Sequence, residues 1–301
     1  MNSIQSQNFK AWITAIRPKT LPIGLAPVIA GGASAFNIQN ENINIAALII
    51  CAVTSLLLQI TSNFANDLFD HQKGADKDRS GPLRVTSSGL ISEQNMRMGI
   101  ILSASLSALS GLYLVYLGGA LIAGVGIAAI LSAVVYTGGP WPLGYNGLGD
   151  LFIFLFFGLA GVAGTAFLVA GYVPESSWYG AVSIGVLASN VLVVNNIRDI
   201  KGDKASKKKT LIVKFGKKAG YTQYGLCVAI AFVSIILLYL KIQNSWILLP
   251  LLLLPIILPA FIKLILTKSP KTYNSLLGFS SLFVFFFSLL FGTGLILSIS
   301  S

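Results

Sequence analysis

Charged residues are scarce in this chain, and their scarcity excludes most soluble architectures. Only 10% of the 301 residues are Asp, Glu, Lys or Arg, while 54% are apolar. Soluble domains typically carry about 25% charged residues. Neither a disordered chain nor a soluble nucleic-acid-binding domain fits this composition, so we expect no nucleic acid partner. A polytopic membrane protein is the class that remains.

Cysteine and histidine are also rare, with two residues and one residue respectively. Cys51 and Cys227 both lie within apolar runs and show no CxxC spacing. A disulfide-stapled secreted fold and a histidine-rich metal site are therefore excluded. We expect both cysteines to be small buried apolar side chains.

Nine segments approach the roughly 20 apolar residues that a membrane-spanning helix needs. Their approximate cores are residues 21–36, 43–63, 98–116, 119–136, 148–170, 178–196, 221–240, 246–266 and 276–297. The first segment resembles a cleavable signal, but Pro22, Pro27 and the many later spans favour a retained helix. We therefore predict an all-α polytopic membrane protein with about nine helices in one bundle. It would form a single domain over residues 1–301, built from two four-helix halves plus a ninth helix.

The basic residues predict the orientation of this bundle. The sequence has 21 Lys and Arg against 10 Asp and Glu. With a cytoplasmic N-terminus, 20 of the 21 basic residues face the cytoplasm and only Lys241 lies outside, as the positive-inside rule requires. Two long connections, at about 67–97 and 197–220, fall on this side, and loops of such length are commonly functional. The interpretation is a multi-pass protein of the inner or plasma membrane with a cytoplasmic active site.

Two stripes of Asn and Asp stand at the ends of the second and sixth predicted helices. If the helices continue through them, the side chains of each stripe recur every three or four residues on one face. The first stripe contains Asn63, Asn66, Asp67 and Asp70, and the second contains Asn196, Asp199 and Asp203. Carboxylates this close together repel one another and are costly at a membrane, so we expect a cation to neutralise them.

Carboxylate and amide oxygens suit Mg²⁺, which usually shares its ligands with phosphates. Basic residues around the stripes would neutralise the remaining charge of a diphosphate. The combination indicates a lipid diphosphate substrate. The alternative is that the acids are ordinary interfacial charges paired with lysines or water. It accounts less well for two similar clusters at equivalent positions of the two halves.

The two stripes resemble the aspartate-rich motifs of the UbiA-type intramembrane aromatic prenyltransferases. The matching residues are Asn66-Asp67-x-x-Asp70 and Asp199-x-x-x-Asp203, but Gly74 replaces the last aspartate of the first motif and the next acid is Asp76. This variant, followed by GPLRV at 81–85, resembles the branch that prenylates 1,4-dihydroxy-2-naphthoate. Further agreement comes from RPKTLP at 17–22, YTGGPWPLGY at 136–145 and KTL at 209–211.

This resemblance implies a Mg²⁺-dependent transfer of a polyprenyl group from its diphosphate to an aromatic acid. For dihydroxynaphthoate, diphosphate and CO2 are released and demethylmenaquinone results. The implied metal ligands are Asp67, Asp70, Asp76, Asp199 and Asp203. The implied substrate-binding residues are Asn63, Asn66, Asn196, Arg17, Lys73, Arg84, Arg198 and Lys209, with Tyr136 as a catalytic helper near the reacting carbon. The expected partners are these two substrates and the lipid bilayer, without an obligatory protein partner.

Three alternatives stay open at this point. The same chemistry could act on 4-hydroxybenzoate, homogentisate, or a haem or chlorophyll precursor. A duplicated membrane bundle could also be a secondary transporter, but transporters place ionisable residues near mid-membrane, whereas these acids lie at its inner edge. The aromatic runs 152–157 and 279–287 could line a tunnel for the isoprenoid tail, or simply face lipid.

Overall fold

The computed structural model describes residues 2–36, 43–74, 81 and 83–299, with side chains from residue 9 onward. This part of the chain is helical and contains no strand, so the predicted all-α class is confirmed. The helices are α1 Asn2–Ile16, α2 Pro22–Phe36, α3 Ile45–Gln72, α4 Glu93–Val135, α5 Gly149–Ala170, α6 Glu175–Ala205, α7 Leu211–Ile242, α8 Ser245–Leu266 and α9 Pro270–Ile299.

The helices account for all nine predicted apolar segments. In the described residues seven helices, α3 to α9, are long and apolar enough to cross a membrane, and α2 is a shorter apolar helix. At 1.5 Å per residue the 43 residues of α4 would extend about 65 Å, twice the thickness of the hydrocarbon core. The helix instead turns at Gly119, where φ is 65° and ψ is −154°. Its two arms correspond to the third and fourth predicted segments.

The helices that carry the acidic stripes are longer than predicted. The apolar runs suggested ends near residues 63 and 196, but α3 continues to Gln72 and α6 to Ala205. The predicted connections 67–97 and 197–220 therefore begin as helix, and α7 starts at Leu211. Hydrophobicity marks where a helix leaves the apolar core, whereas hydrogen bonds and ion pairs of the polar side chains allow it to continue.

Gly74 has a structural reason to replace the aspartate of the family pattern. It follows the last turn of α3 with φ of 68°, and its N–H donates to His71 O at 2.9 Å. A left-handed residue just after a helix is usually glycine, because a side chain is strained there. The residue therefore marks the end of α3.

Packing forms two helical groups around a space between them. In the first, α3 lies along α4, and Phe64 and Leu68 are buried with Met96 and residues of α1. In the second, α6 packs against α7 and α9, with Ile184 and Phe287 in its core. The middle of α5, at Phe154–Ala163, is a wider π-helical segment, a feature frequent near functional sites.

Candidate active site

The first acidic motif is enclosed by the segment that contains Arg84. Asp67 and Asp70 are 1% and 4% exposed on the last turns of α3. Arg84 Nη2 donates to Asp70 Oδ2 at 2.7 Å, and the backbone N–H groups of Val85 and Thr86 donate to Asp67 at 3.3 Å and 2.9 Å. Because buried carboxylates need a counter-charge and hydrogen-bond donors, these contacts stabilise both acids in the folded chain.

The asparagines of the first stripe connect this motif to neighbouring segments. Asn63 Nδ2 donates to Ile16 O at 2.9 Å, so it fixes the end of α1 against α3. Arg17 follows at once in a left-handed conformation with φ of 56°. Asn66 Oδ1 accepts from Thr137 Oγ1 at 2.9 Å. The two asparagines thus position the residues after α1 and after α4 beside the acids.

The second motif is neutralised by its own arginine. Arg198 Nε and Nη2 donate to the two carboxylate oxygens of Asp199 at 2.8 Å and 2.6 Å. The same guanidinium donates to Asn195 Oδ1 at 2.6 Å and to Asn274 Oδ1 of α9 at 2.8 Å. This planar fork suits a carboxylate, and Arg198 is buried while it makes these bonds.

Lys208 joins the two motifs. Its Nζ lies 3.1 Å from Asp203 Oδ1 and 3.6 Å from Asp70 Oδ1. Asp203 is 5% exposed at the end of α6. Asp70 of the first stripe and Asp203 of the second therefore face one ammonium group, so the two stripes lie next to each other in the fold.

Two ammonium groups contact one aromatic ring beside this bridge. Lys208 and Lys73 place their Nζ atoms 4.5 Å and 4.6 Å from the ring centre of Tyr145, and the Tyr145 hydroxyl donates to Asp70 Oδ1 at 2.9 Å. Lys73 also donates to Thr137 O at 2.5 Å. Partial burial lowers the pKa of Lys73, Asp70 opposes this shift, and Lys208 adds to it. Tyr145 thus organises the basic side chains around the acids.

Two glycines leave the space that the Tyr136 side chain occupies. A Cβ atom on Gly149 would lie 2.6 Å from the Tyr136 hydroxyl, and one on Gly144 would lie 2.8 Å from Tyr136 Cε1. Both distances are too short for carbon, so only glycine leaves space for the ring at these positions. The loop before α5 is further tied to the second motif, because Lys209 N–H donates to Tyr145 O at 2.7 Å.

These residues surround one end of a cavity of about 860 Å³. Its polar end is lined by Arg17, Asn63, Asn66, Asp70, Arg84, Tyr136, Asn195, Asn196, Arg198 and Lys208. The other end reaches Cys51, which precedes Asp70 by 19 residues on α3, or about 28 Å. The wall there is apolar and includes Val28, Leu114 and Leu168. Such a cavity can hold an amphipathic molecule with a strongly anionic head and a long apolar tail.

The two aromatic runs have different positions. Phe152, Phe156 and Phe157 line the cavity. Phe283 and Phe287 of the second run are instead buried in the core between α7 and α9, and Phe286 is 50% exposed. Only the first run is therefore placed to contact an isoprenoid tail.

Comparison with known proteins identifies the family. Residues 24–292 match the model of the UbiA prenyltransferase family. The chain belongs to this family. The 1,4-dihydroxy-2-naphthoate octaprenyltransferase of Haemophilus influenzae is 35% identical over 97% of both chains. The enzyme of the same name from Escherichia coli is 38% identical over 72% of both chains.

Solved structures agree with the fold. A UbiA homologue from Archaeoglobus fulgidus, bound to GPP and Mg²⁺, has a TM-score of 0.67 at 18% identity and covers 97% of this chain and 100% of its own. A digeranylgeranylglyceryl phosphate synthase has a TM-score of 0.60 at 20% identity, covering 96% and 99%. The chain is thus a multi-pass membrane prenyltransferase, and family membership argues against the transporter alternative.

Most residues predicted for the site of this prenyltransferase come together, but not all line the cavity. Asp67, Asp199 and Asp203 are not among the lining residues, but each is bound to a side chain that is: Arg84, Arg198 and Lys208 respectively. Lys73 reaches Tyr145 from outside the cavity, and Lys209 is exposed and contributes its backbone. Asp76 lies outside the described residues.

Four residues of the site were not singled out from the sequence, although Lys208 belongs to the basic residues expected around the second stripe. They are Tyr145, Asn195, Lys208 and Asn274. Lys208 lies in a run of three lysines, and the sequence alone does not say which of them turns inward. Asn195 precedes the predicted Asn196 directly, so its helix position was the available signal. The sequence gives no signal for Asn274 on α9, because only the fold brings this residue next to Arg198.

Proposed function

We propose that this prenyltransferase transfers a polyprenyl group from a polyprenyl diphosphate to 1,4-dihydroxy-2-naphthoate. The observation that carries the proposal is a single cavity with an apolar interior about 28 Å deep, whose polar end is lined by Asp70 of the first motif and by Arg198 and Lys208, the partners of the second motif's acids. The named activity of the relatives from H. influenzae and E. coli supports the choice of acceptor. Another aromatic acceptor would use the same cavity.

The oxygen donors fit Mg²⁺. Asp70, Asn66 and Asn196 line the polar end, and Asp203 faces Asp70 across one ammonium. No group of three or more acidic, His or Cys side chains forms a ready-made metal site in the described residues. Mg²⁺ commonly takes one or two carboxylates and completes its coordination shell with water and substrate phosphates. An incomplete set of protein ligands is therefore sufficient for it. We propose Asp70 and Asp203 as its direct ligands, with Asp67 and Asp199 supplementing them on release from their arginines.

When bound, the metal would neutralise charge that develops on the departing diphosphate. The chain's own cations act in the same direction. Arg17, Arg84, Arg198 and Lys208 line the polar end, where they bind and orient the diphosphate and stabilise it as a leaving group. Lys73 and Lys209 lie further out and would guide the anion toward this end.

The apolar interior positions the reacting carbon. The tail lies along Phe152 and Phe156, which exclude water and present π-faces to a developing allylic cation. Tyr136 lines the same stretch and would orient the acceptor. The bond from the first prenyl carbon to the diphosphate oxygen breaks, and the ring carbon that bears the carboxylate bonds to that prenyl carbon. Loss of CO2 returns its bonding electrons to the ring and gives demethylmenaquinone in its reduced form.

The basic residues also support a location. Because the sequence predicts the acidic motifs and 20 of 21 basic residues on one side, we propose the inner or plasma membrane with the active site facing the cytoplasm. Both substrates would then reach the site from the cytoplasm or the inner leaflet. We also propose that residues 1–301 act as one domain, since one family match spans 24–292.

The test supplies membranes containing the protein with a radiolabelled polyprenyl diphosphate and a panel of aromatic acids. We expect label in a lipid-soluble product with dihydroxynaphthoate, dependence on Mg²⁺ and loss of product with EDTA. Asp70→Asn and Asp203→Asn should abolish turnover, while Glu175→Gln, an exposed acid paired with Lys241, should retain it. Product with a different acid would replace the acceptor, and no product with any acid would contradict the proposal.

A further inference from the structure

One lysine takes up the space between the two acidic motifs. Lys208 Nζ lies 3.1 Å from Asp203 Oδ1 and 3.6 Å from Asp70 Oδ1. The side chain of Lys208 is only 16% exposed, and both carboxylates are buried. Charges removed from water to this extent need a close counter-ion. The ammonium of Lys208 is therefore the protein's own counter-ion for Asp70 and Asp203.

Tyr145 holds the ammonium in this place. Its ring centre is 4.5 Å from Lys208 Nζ, within the range of a cation–π contact. Its hydroxyl donates to Asp70 Oδ1, the same oxygen that faces Lys208. Three side chains on separate segments thus define the position of Lys208. An ordinary ion pair between a lysine and one nearby acid would not involve three such contacts.

This arrangement suggests a competition, which rests on the function proposed above. We infer that Lys208 competes with the divalent metal for Asp70 and Asp203 as long as no diphosphate is bound. An ammonium and a divalent ion repel each other and cannot share the space between two carboxylates. Metal entry requires Lys208 to leave, and this weakens metal binding to the free enzyme.

A diphosphate changes this balance. Lys208 lines the cavity, so an anionic head at the polar end offers the displaced ammonium a new partner. Metal and prenyl diphosphate then bind cooperatively, and linkage requires each to raise the affinity of the other by the same factor. Lys208 is on this account a positioning residue that keeps the acids neutralised until the substrate arrives.

The experiment measures metal binding to the full-length protein in detergent without substrate. Mn²⁺ takes the same oxygen ligands as Mg²⁺, and the signal of the free ion in electron paramagnetic resonance falls as it binds. We expect Lys208→Gln to bind Mn²⁺ at least about fivefold more tightly than the wild type, within the usual range of coupling between sites. The same variant should bind farnesyl thiolodiphosphate, a stable analogue, more weakly.

Opposite effects on the two ligands separate this role from a structural one, which would weaken both. Lys208→Arg should behave as the wild type because it keeps the charge. Lys204→Gln, an exposed lysine directly after Asp203, controls for the loss of one positive charge. Unchanged or weaker Mn²⁺ binding by Lys208→Gln would overturn the inference. A wild type that binds no Mn²⁺ even with the thiolodiphosphate would instead contradict the proposed metal dependence itself.

A second measurement needs no variant. Amine acylation followed by mass spectrometry reports how accessible each lysine is in the wild-type protein. We expect saturating Mn²⁺ to increase the acylation rate of Lys208 while that of Lys204 stays constant. An unchanged rate at Lys208, under conditions where Mn²⁺ binds, would show that the ammonium does not move and would refute the competition.

Discussion

Arg84 and Arg198 neutralise the two acidic motifs in different ways. Arg198 binds the acid next to it in sequence, so its contact is local. Arg84 comes from 14 residues beyond Asp70 and folds back onto both acids of α3. The first motif therefore depends on a connection that must itself be folded, whereas the Arg198–Asp199 pair of the second motif lies within α6.

This difference predicts the effect of Arg84→Met. Removing one partner of a buried ion pair leaves an uncompensated charge and costs roughly 3–5 kcal/mol. We expect a large fall in thermal stability in detergent and loss of prenyl transfer. Arg97→Met is the matched control, because the ion pair of Arg97 with Glu93 is exposed and contributes little. Equal melting temperatures for the two variants would show that Arg84 is not needed to hold the acids.

The close contact between Gly149 and Tyr136 can be tested with a double-mutant cycle. Gly149→Ala should lower kcat at least tenfold, because its methyl group meets the Tyr136 hydroxyl at 2.6 Å and displaces the ring. KM for the prenyl diphosphate should change little. On a Tyr136→Phe background the oxygen is gone, so Gly149→Ala should cost much less, and what remains comes from the contact of the methyl group with Leu192 Cδ2 at 2.8 Å. Equal losses on both backgrounds would mean that Gly149 matters for helix α5 alone.

Sequence spacing predicted which acids share a helix face, but not what neutralises them. The i, i+4, i+7 pattern of Asn63, Asp67 and Asp70 holds because α3 remains helical to Gln72. The partner of Asp70 in the second half, Lys208, follows no periodic pattern and lies in a turn after α6. Local periodicity is a property of one helix, whereas this contact depends on how two helices approach each other.

The bend in α4 joins two segments that the sequence predicted as separate helices. Hydrophobicity separated residues 98–116 from 119–136, and the backbone at Gly119 shows how they are joined. Its φ of 65° with ψ of −154° lies in a region that only glycine occupies readily. No atom lies within 4 Å of a Cβ built there, so the requirement comes from the backbone alone.

Gly119→Ala should therefore destabilise the protein by about 1–3 kcal/mol, the usual cost of such a conformation. Gly124→Ala is the control, since Gly124 lies in the same helix with ordinary φ and equally open surroundings. That substitution should be neutral or slightly stabilising, as alanine favours a helix. Thermal unfolding in detergent measures both, and similar melting temperatures would show that the two arms do not need the glycine.

The cavity joins the polar residues of the active site at one end to an apolar interior at the other. Composition predicted the membrane helices, and the acidic stripes predicted which helix ends lie close together. The cavity itself could not be predicted, because it is the space that several helices, α2 to α6 and the start of α9, leave between them. Its depth is set by packing at residues such as Leu114 and Leu168, which look like ordinary core residues in the sequence.

The two cysteines give a direct test of this depth. Cys51 lines the far end of the cavity, about 28 Å along α3 from Asp70, whereas Cys227 lies outside it. We expect octaprenyl diphosphate with Mg²⁺ to slow the alkylation of Cys51 by N-ethylmaleimide severalfold. Dimethylallyl diphosphate is too short to reach that end and should leave the rate unchanged. Mass spectrometry of the intact protein, with Cys51→Ser to assign the sites, follows both reactions.

Cys227 is the internal control, because a general tightening of the bundle would slow both thiols together. Protection of Cys51 by the short diphosphate would indicate closure of the helices rather than occupancy by the tail. No protection by the long one would mean that the tail leaves the cavity before reaching α3 at Cys51. The tail would then pass between helices into the lipid, and residues near Phe152 rather than Leu114 would determine which chain lengths are accepted.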